Sequence, residues 1–479
     1  MKTRVWMILI LAAFIVAGCV PRRYSWSPDG KWMTVLSDDG LRLADADGNL
    51  LPPAIAGVNC ATWFPDSRRL LVSRQIDVKT WDGVSQYLSP GQTRDAIEAA
   101  QHVRDAAMAY GWNAADPNDL EKFTDGMNAQ YAKDEDFQRV MKELGGTVVL
   151  YVRDHPDAAL RQKIPPQTWK VLEGVSQSVQ CIEVYTVDAT GTTLGARLMT
   201  SLKGIHELRV SPTGAAAIVV TESEQAHAAG LWVVPTDGTA PAVKFSDQAA
   251  WYPDWSSDGQ DVVLVRAATP AAGDASRLGS LTRMRAIGDD GKVMDKPGDS
   301  EDLVGLVFDE LCRVRSTKDG RILFDSAEVT LPTTANDMPQ RPQLFSLTPG
   351  TTPMVSRLLP RQAFEQAGGA AQYFEVSPDG THVSIPDDTG KVTVVDLRTG
   401  QVTVVQGKPV LSDDQKPTLM TVPQWRSPDE LTLISPGENG HPSVMLWSMS
   451  KNAGRTLSAN WPAGMIEKKS ATTQPATEP

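Results

Sequence analysis

Short apolar segments that alternate with polar turn signals run through most of the chain and predict β-strands. One turn recurs, in which an apolar strand ends at Ser-Pro-Asp-Gly or a relative and a second apolar strand follows. Proline presets φ near about −65°, aspartate bonds the backbone two residues on, and glycine accepts a positive φ, so each copy predicts a hairpin. The seven copies begin at Trp26, Trp63, Val210, Trp255, Arg315, Val376 and Trp425.

A second turn, which contains Gly and in most copies Asp, closes another apolar strand once after each first turn, as at Val187–Gly191 and Val395–Gly400. The resulting order of strand, turn, strand, longer loop, strand, turn and strand describes one four-stranded blade. We therefore predict an all-β fold, a seven-bladed β-propeller within residues 19–462, rather than a sandwich or a set of small β domains. The predicted blades start near residues 22, 58, 205, 250, 310, 371 and 421.

The clearest turns, Trp26–Gly30 and Val376–Gly380, resemble the WD-like repeats of the TolB family of periplasmic propellers. The resemblance implies a propeller whose partner is another envelope lipoprotein or an assembly that spans the periplasm. The chain departs from that family because it lacks the N-terminal α/β domain and has seven predicted blades rather than six. The shared residues build turns, so the resemblance transfers no binding residue.

The second blade carries a predicted α-rich insertion at Trp81–Val175, because its two turns lie far apart in the sequence. We expect the insertion to emerge between the second and third strands of that blade. Asp116-Pro117 is expected to begin one helix, Gly145-Gly146 to end another, and Val148–Val152 to form a strand. One apolar helical face supports the second helix and consists of Phe137, Val140, Met141 and Leu144.

The N-terminus has the layout of a secretory signal peptide, with Lys2 and Arg4 before an apolar run that is too short to span a bilayer. The run ends in Val16-Ala17-Gly18-Cys19, which resembles the lipobox of bacterial lipoproteins. The resemblance implies cleavage after residue 18 and lipid attachment to Cys19, which anchors the chain to a membrane. Val20 stands where the family's inner-membrane retention signal has Asp, so we expect an extracytoplasmic protein on the outer membrane, facing the periplasm, if the cell has two membranes.

The composition of the chain limits the classes of molecule that it is expected to bind. The chain is 41% apolar and 22% charged, which is typical of a globular protein, and its net charge of −12 argues against nucleic acid as a partner. Cys60, Cys181 and Cys312 lie in apolar, strand-like contexts, which favours buried thiols over disulfides. Residues 463–479 are rich in Lys, Ser, Thr, Pro and Gln, and we expect a disordered tail.

Sequence motifs of catalysis are missing: there is no G-x-S-x-G, no H-E-x-x-H and no glycine-rich phosphate loop, and the histidines lie at no metal-ligand spacing. We therefore predict no catalytic residue, no cofactor and no metal ligand. Asp45, Asp47 and Asn49 alternate like the start of a calcium loop, but a hairpin turn explains them.

Seven of the thirteen tryptophans form two sets. Four of them, Trp26, Trp63, Trp255 and Trp425, share one repeat position, which predicts packing within or between blades. A second set lies in the insertion, either in its small core or on a partner-binding surface, where tryptophan is over-represented, and consists of Trp81, Trp112 and Trp169.

Three functions fit these observations. The first is a membrane-anchored, non-catalytic propeller that serves as a binding platform for an envelope protein or complex. The second is an extracytoplasmic hydrolase or lyase, acting on polysaccharide or peptide, whose carboxylates converge at the mouth of the propeller channel. The third is a purely structural role in the cell envelope.

Overall fold

The computed structural model describes residues 23–37, 40–223, 228–268, 278–309, 311–326, 343–350, 353–358, 373–387, 391–405, 410–411, 417–418, 421–436, 442–462 and 465. The predicted signal peptide, Cys19 and almost all of the predicted tail lie outside these residues. The described chain divides into two compact units. We call residues 75–181 and 200–204 the helical unit and the remainder the β unit.

The chain is mainly β, and its strands form consecutive antiparallel groups of four in which sequence neighbours pair. The first group is β1 (Tyr24–Trp26), β2 (Trp32–Ser37), β3 (Gly40–Asp45) and β4 (Leu50–Ile55). The second is β5 (Val58–Trp63), β6 (Arg69–Val78), β7 (Gln177–Asp188) and β8 (Gly191–Ser201). The third is β9 (Ile205–Val210), β10 (Ala216–Glu222), β11 (Ala229–Pro235) and β12 (Val243–Ala249).

The fourth group is β13 (Asp254–Trp255), β14 (Asp261–Ala267), β15 (Leu278–Arg285) and β16 (Ser300–Val307), and the pair Ala249 and Arg266 joins it to the third in one eight-stranded sheet. The fifth is β17 (Val314–Ser316), β18 (Ile322–Ser326), β19 (Gln343–Thr348) and β20 (Met354–Arg357). The sixth is β21 (Glu375–Val376), β22 (His382–Pro386), β23 (Val392–Asp396) and β24 (Val402–Val405). After a short pair, β25 (Val410–Leu411) and β26 (Pro417–Thr418), the seventh is β27 (Gln424–Trp425), β28 (Glu430–Pro436), β29 (Pro442–Ser448) and β30 (Ala453–Thr456).

The recurrent Ser-Pro-Asp-Gly turns join the first strand of each group to its second strand, as the sequence predicts. In the first copy, the Ser27 hydroxyl donates to Asp29 Oδ1 at 2.7 Å and accepts the backbone N–H of Trp32 at 3.0 Å. Gly30 has a φ of +67°, which glycine adopts without strain. The same Ser-to-Asp bond measures 2.6 Å in the copies at Ser256 and Ser377. Local side-chain chemistry therefore sets the hairpins.

The core of the β unit lies between consecutive groups. Apolar clusters join the first group to the second, the second to the third, and so on to the seventh. A further cluster, which includes Tyr24 and Met33 of the first group and Val444 and Leu446 of the seventh, packs the last group against the first. Repeated four-stranded groups that pack face to face are the arrangement of a β-propeller.

The four repeated tryptophans each bond to a residue of a neighbouring group. Four indole N–H groups donate across a group boundary: Trp26 to Thr432 Oγ1 at 2.7 Å, Trp63 to the Ser25 carbonyl at 3.2 Å, Trp255 to the Arg209 carbonyl at 3.0 Å and Trp425 to the Glu375 carbonyl at 3.1 Å. All four side chains are buried, which confirms the predicted packing role.

The helical unit contains six helices that lie, along the chain, between β6 and β7, the second and third strands of the second group. They are α1 (Trp81–Ser85), α2 (Pro90–Ala109), α3 (Asp119–Gln130), α4 (Glu135–Asp154), α5 (Ala158–Lys163) and α6 (Pro166–Glu173). Ser89 begins α2 through a capping box with Gln92, followed by a first-turn proline. None of the helices in the described residues is both long enough and apolar enough to span a membrane.

Two local predictions in this unit are wrong. Val148–Val152 is not a strand, because α4 continues through Gly145-Gly146 to Asp154. Val148, Leu150 and Val152 are buried in the unit's core, and this burial offsets the helix cost of about 1 kcal/mol for each glycine. Gly146 serves close packing instead of a helix stop, since a Cβ there would lie 2.5 Å from Gln177 Oε1.

The start of α3 also differs from the prediction. The helix begins at Asp119 rather than after Asp116-Pro117, because Asp116 Oδ1 accepts the Asn118 N–H at 2.9 Å and holds the preceding segment in a turn. Among the described residues, Cys60, Cys181 and Cys312 form no disulfide; Cys181 and Cys312 are buried as predicted, whereas Cys60 is only half-buried.

Candidate functional site: a buried arginine and glutamate cluster

The first strands of the groups bring charged side chains together in the interior of the β unit. First strands contact one another between groups, as β5 contacts β9, β13 contacts β17, and β21 contacts β27. Side chains two residues apart on a strand share a face. Five residues on or beside these strands form what we call the inner-strand cluster: Glu207, Arg209, Arg313, Arg315 and Glu375.

Glu375 lies within ion-pair distance of all three arginines of this cluster. Its Oε1 accepts from Arg313 Nη1 at 2.8 Å and from Arg315 Nη2 at 2.9 Å, while its Oε2 accepts from Arg315 Nε at 3.0 Å. Arg209 Nη2 lies 3.6 Å from the same carboxylate. Arg315 therefore binds Glu375 with the two-pronged geometry that favours arginine over lysine.

The other members add a second ion pair and an aromatic contact. Glu207 Oε1 lies 2.9 Å from Arg209 Nε, so the third guanidinium has a carboxylate of its own. The guanidinium of Arg313 also lies over the Tyr252 ring, 4.0 Å from its centroid. Arg313 is only 2% exposed and Arg315 only 3%, and burial together with the charge of Arg315 lowers the pKa of Arg313.

Asp325, on β18, contacts the main chain of Arg313, a member of this cluster. Its side chain is buried, and its Oδ1 accepts the backbone N–H of Arg313. Burial raises the pKa of Asp325 to about 7, against the opposing effects of the Arg313 N–H and of the Arg313 charge. Burial also raises the pKa of the neighbouring Cys312 thiol well above its ordinary value.

A second buried carboxylate, Glu183, lies in the second group. It accepts two bonds from Arg74, at 2.9 and 3.2 Å, and two from Arg197, at 3.1 and 2.9 Å. The Tyr185 hydroxyl donates to the same carboxylate at 3.0 Å. Burial alone would raise the pKa of Glu183, but these hydrogen bonds and charges lower it, whereas burial and the Glu183 charge raise the pKa of Tyr185 to about 12.

Ion pairing with arginine is the feature that these buried carboxylates share. General acid and base work needs a pair of groups whose environments separate their pKa values within reach of a substrate. In the cluster, by contrast, arginines engage both carboxylates. Within the described part of the chain, no group of three or more His, Cys, Asp or Glu side chains is placed to hold a metal ion. Asp45 accepts the backbone N–H groups of Asp47 and Asn49, which is the predicted hairpin turn.

The three tryptophans predicted for partner binding all belong to one apolar cluster of the helical unit. Trp81 is 7% exposed and packs edge-on against Tyr151. Trp112 and Trp169 are half-buried, and their indoles donate to the carbonyls of Ala107 and Arg161. The structure thus assigns all three a core-packing role, and their contact with a partner stays a prediction.

Sequence reasoning missed the inner-strand cluster. One signal was present, because the residue before the repeated tryptophan position is small or polar in the first two copies, Ser25 and Thr62. With the copies aligned by their turn glycines, Ser316 takes the tryptophan position of the fifth copy, and the residue before that position is charged in the third to sixth copies: Arg209, Asp254, Arg315 and Glu375. Aligning the repeats by their turns therefore shows the charges, but not which of them meet.

Comparison with known proteins gives a fold likeness only. No protein-family model matches the chain, and no curated protein matches its sequence. The β-propeller domain of the trilobed protease from Pyrococcus furiosus aligns with a TM-score of 0.46 at 8% identity, over 90% of this chain and 95% of that one. TolB from Acinetobacter baumannii aligns with a TM-score of 0.35 at 14% identity, over 57% of this chain and 58% of that one.

A puromycin hydrolase aligns with a TM-score of 0.40 at 14% identity, over 59% of this chain and 43% of the hydrolase. The chain thus spans less than half of that enzyme and less than two thirds of the Acinetobacter TolB. The structural neighbours include TolB and other β-propeller proteins, some of them parts of peptidases. Likeness at this level transfers neither an activity nor a partner.

Proposed function

We propose that the β unit is a closed, seven-bladed β-propeller and that the helical unit is an insertion in its second blade. Support for closure comes from the packing of the last group against the first. Beyond their shared apolar cluster, Trp461 Nε1 donates to the Gly48 carbonyl at 2.6 Å and Arg426 Nε to the Gly30 carbonyl at 3.0 Å. These bonds join residues from opposite ends of the chain.

The proposed function is that of a non-catalytic binding platform for an envelope protein or complex. One observation carries this proposal: the charged residues that meet at the first strands form ion pairs, with three arginines around two glutamates, instead of a carboxylate pair available to a substrate. Such a network fixes the inner strands in one geometry, and a rigid propeller leaves its loops and insertion to supply the binding surface.

Site-specific photo-crosslinking in cells tests this role. A photoreactive phenylalanine analogue is placed at Trp112 or Trp169 in the helical unit, and at Met354, which is 68% exposed on β20, as the control. The proposal expects one protein to be captured from the helical positions and not from Met354. Equal capture of many proteins from all three positions would remove the support for a dedicated surface.

Activity assays on the purified protein test the hydrolase alternative. Peptide and polysaccharide substrates are expected to remain intact. Turnover that Glu375→Gln abolishes, with folding preserved by circular dichroism, would replace the binding role with a catalytic one.

We further propose that lipid on Cys19 tethers the protein to a membrane on its extracytoplasmic side. The support is the pattern of residues 1–19, together with a first strand that begins at Tyr24, only a few residues later. Metabolic labelling with radioactive palmitate tests the tether. Label should appear in the wild type and be lost in Cys19→Ser, which should also leave the membrane fraction; a labelled Cys19→Ser protein would contradict the assignment.

A further inference from the structure

The strand β24 is the outermost strand of the sixth group. Among the described strands it pairs only with β23, through Val395 and Val402 at one end and Val392 and Val405 at the other. An edge of this kind presents backbone N–H and C=O groups to any second strand that can approach it. Two apolar side chains beside these groups, Val402 and Val404, are 42% and 38% exposed.

The other outer strands carry features that discourage pairing with a second strand. β4 contains two prolines, which donate no backbone hydrogen bond, and a residue pair joins β12 to β14. The outer strands β8, β16, β20 and β30 contain charged side chains, namely Arg197, Glu301, Asp302, Arg357 and Arg455. Charges and prolines are the usual protection of a sheet edge. Of the outer strands that the structure describes, only β24, with the sequence Val-Thr-Val-Val, has neither.

The hydrogen bonds of the β23–β24 hairpin fix which backbone groups face outward. The Asp396 N–H donates to the opposed Gln401 carbonyl at 2.9 Å, so these two residues form a hydrogen-bonded pair. Opposed residues of an antiparallel pair alternate between hydrogen-bonded and non-hydrogen-bonded. Thr403 therefore directs its N–H and C=O toward β23, whereas Val402 and Val404 direct theirs to the open side.

We propose that β24 pairs antiparallel with β24 of a second copy of this chain, across a two-fold axis at Thr403. In this register Val402 of each copy lies opposite Val404 of the other, and their outward N–H and C=O groups bond in both directions. The opposed valines cover each other's exposed apolar surface, and the opposed Thr403 hydroxyls can share a hydrogen bond. A second copy is the occupant because register, side chains and backbone groups all match under one axis, as an isologous contact requires.

The charge of the protein is compatible with this contact. Each copy has a net charge of −12, but β24 is uncharged, so the pairing places no like charges opposite each other. Repulsion between the copies acts at longer range and is screened by salt, so association should strengthen as the ionic strength rises. One short strand from each copy makes a small contact, which means a weak and reversible dimer. This inference does not depend on the proposed binding role.

A cysteine on the two-fold axis tests the register. The Cα atoms of a non-hydrogen-bonded pair lie about 4.5 Å apart, within disulfide range, so mild oxidation of Thr403→Cys should give a covalent dimer on a non-reducing gel. Ser356→Cys, at an exposed position of the outer strand β20, is the matched control and should stay at the background of the wild-type cysteines. Equal cross-linking rates for the two variants would indicate random collisions and contradict the proposal.

Analytical ultracentrifugation of the purified protein measures the equilibrium. The wild type should pass from monomer toward dimer between about 1 and about 100 µM, and more completely at higher salt. In Val404→Pro, the lost N–H faces away from β23, so the variant keeps the sheet's own bonds and loses a donor to the second copy. Its dissociation constant should rise about tenfold or more, with an unchanged circular dichroism spectrum.

Two lysine substitutions provide a further matched pair. Val404 and Val355 are both 38% exposed on outer strands. Val404→Lys should weaken the dimer about tenfold, because the lysine lies opposite Val402 of the second copy, whereas Val355→Lys should leave the equilibrium unchanged. A wild type that stays monomeric up to about 100 µM, or equal effects of the two lysines, would overturn the proposal. Binding of an extended peptide at β24 without self-association would also overturn it and would assign the edge to another partner.

Discussion

Replacing Glu375 tests whether the inner-strand cluster holds the first strands together. Glu375→Ala leaves the guanidiniums of Arg313 and Arg315, which are 2% and 3% exposed, without the carboxylate that they share. Removing one partner of a buried ion pair costs about 3–5 kcal/mol, because an uncompensated charge stays in the interior. Glu375→Gln keeps an oxygen acceptor and loses only the charge, so its cost should be about 1.5–3 kcal/mol.

The control is Glu301→Ala on the fourth group. Glu301 and Arg283 form an ion pair whose side chains are 56% and 38% exposed, and such surface pairs contribute about 0–1 kcal/mol. Urea unfolding at pH 7, followed by tryptophan fluorescence, gives the free energies. If Glu375→Ala costs no more than Glu301→Ala, the cluster does not hold the strands and the rigid-platform argument fails.

Two further predictions concern single positions. Glu183→Gln should lower the free energy of unfolding at neutral pH. Because hydrogen bonds and charges lower the folded pKa of Glu183, this difference between wild type and variant should disappear as the pH falls through that pKa. Urea unfolding across the acid range measures the difference, and a difference that stays constant with pH would contradict a stabilising role of the ionised carboxylate. In α4, Gly145→Ala should raise the stability of the helical unit by about 1 kcal/mol, since only Met141 Cε lies near the new Cβ, at 3.9 Å. Gly146→Ala should gain less, because the new Cβ meets Gln177 Oε1 at 2.5 Å; equal melting temperatures for the two variants would refute this account of the glycines.

The features that sequence predicts well here are those whose chemistry is local. The Ser27 and Asp29 side chains form hydrogen bonds within their own turn, so the sequence of the turn alone is enough to predict the hairpin. The repeated tryptophans were predictable for a related reason, since a residue at one position of a repeat occupies one environment. Gly145-Gly146 shows the limit, because burial of the α4 face outweighed a local helix-stop signal.

The candidate site could not be predicted from the sequence for a physical reason. Arg209 and Glu375 come within 3.6 Å although more than a hundred residues separate them, and only the packing of different groups brings them together. The pKa of Asp325 depends in the same way on burial by neighbouring groups, which no local pattern encodes. Repeat alignment shows that charges occupy the position before the tryptophan, but the pairing among them is a tertiary property.

Hydrogen exchange in Trp26→Phe tests most directly the claim that the last strand group closes onto the first. The substitution keeps an aromatic ring and removes the 2.7 Å bond from the indole to Thr432. Trp63→Phe, which removes a 3.2 Å bond between the first and second groups, is the control. Closure predicts that Trp26→Phe accelerates exchange in both β1 and β28 while Trp63→Phe leaves β28 unchanged; unaltered exchange of β28 in Trp26→Phe would contradict a closed propeller.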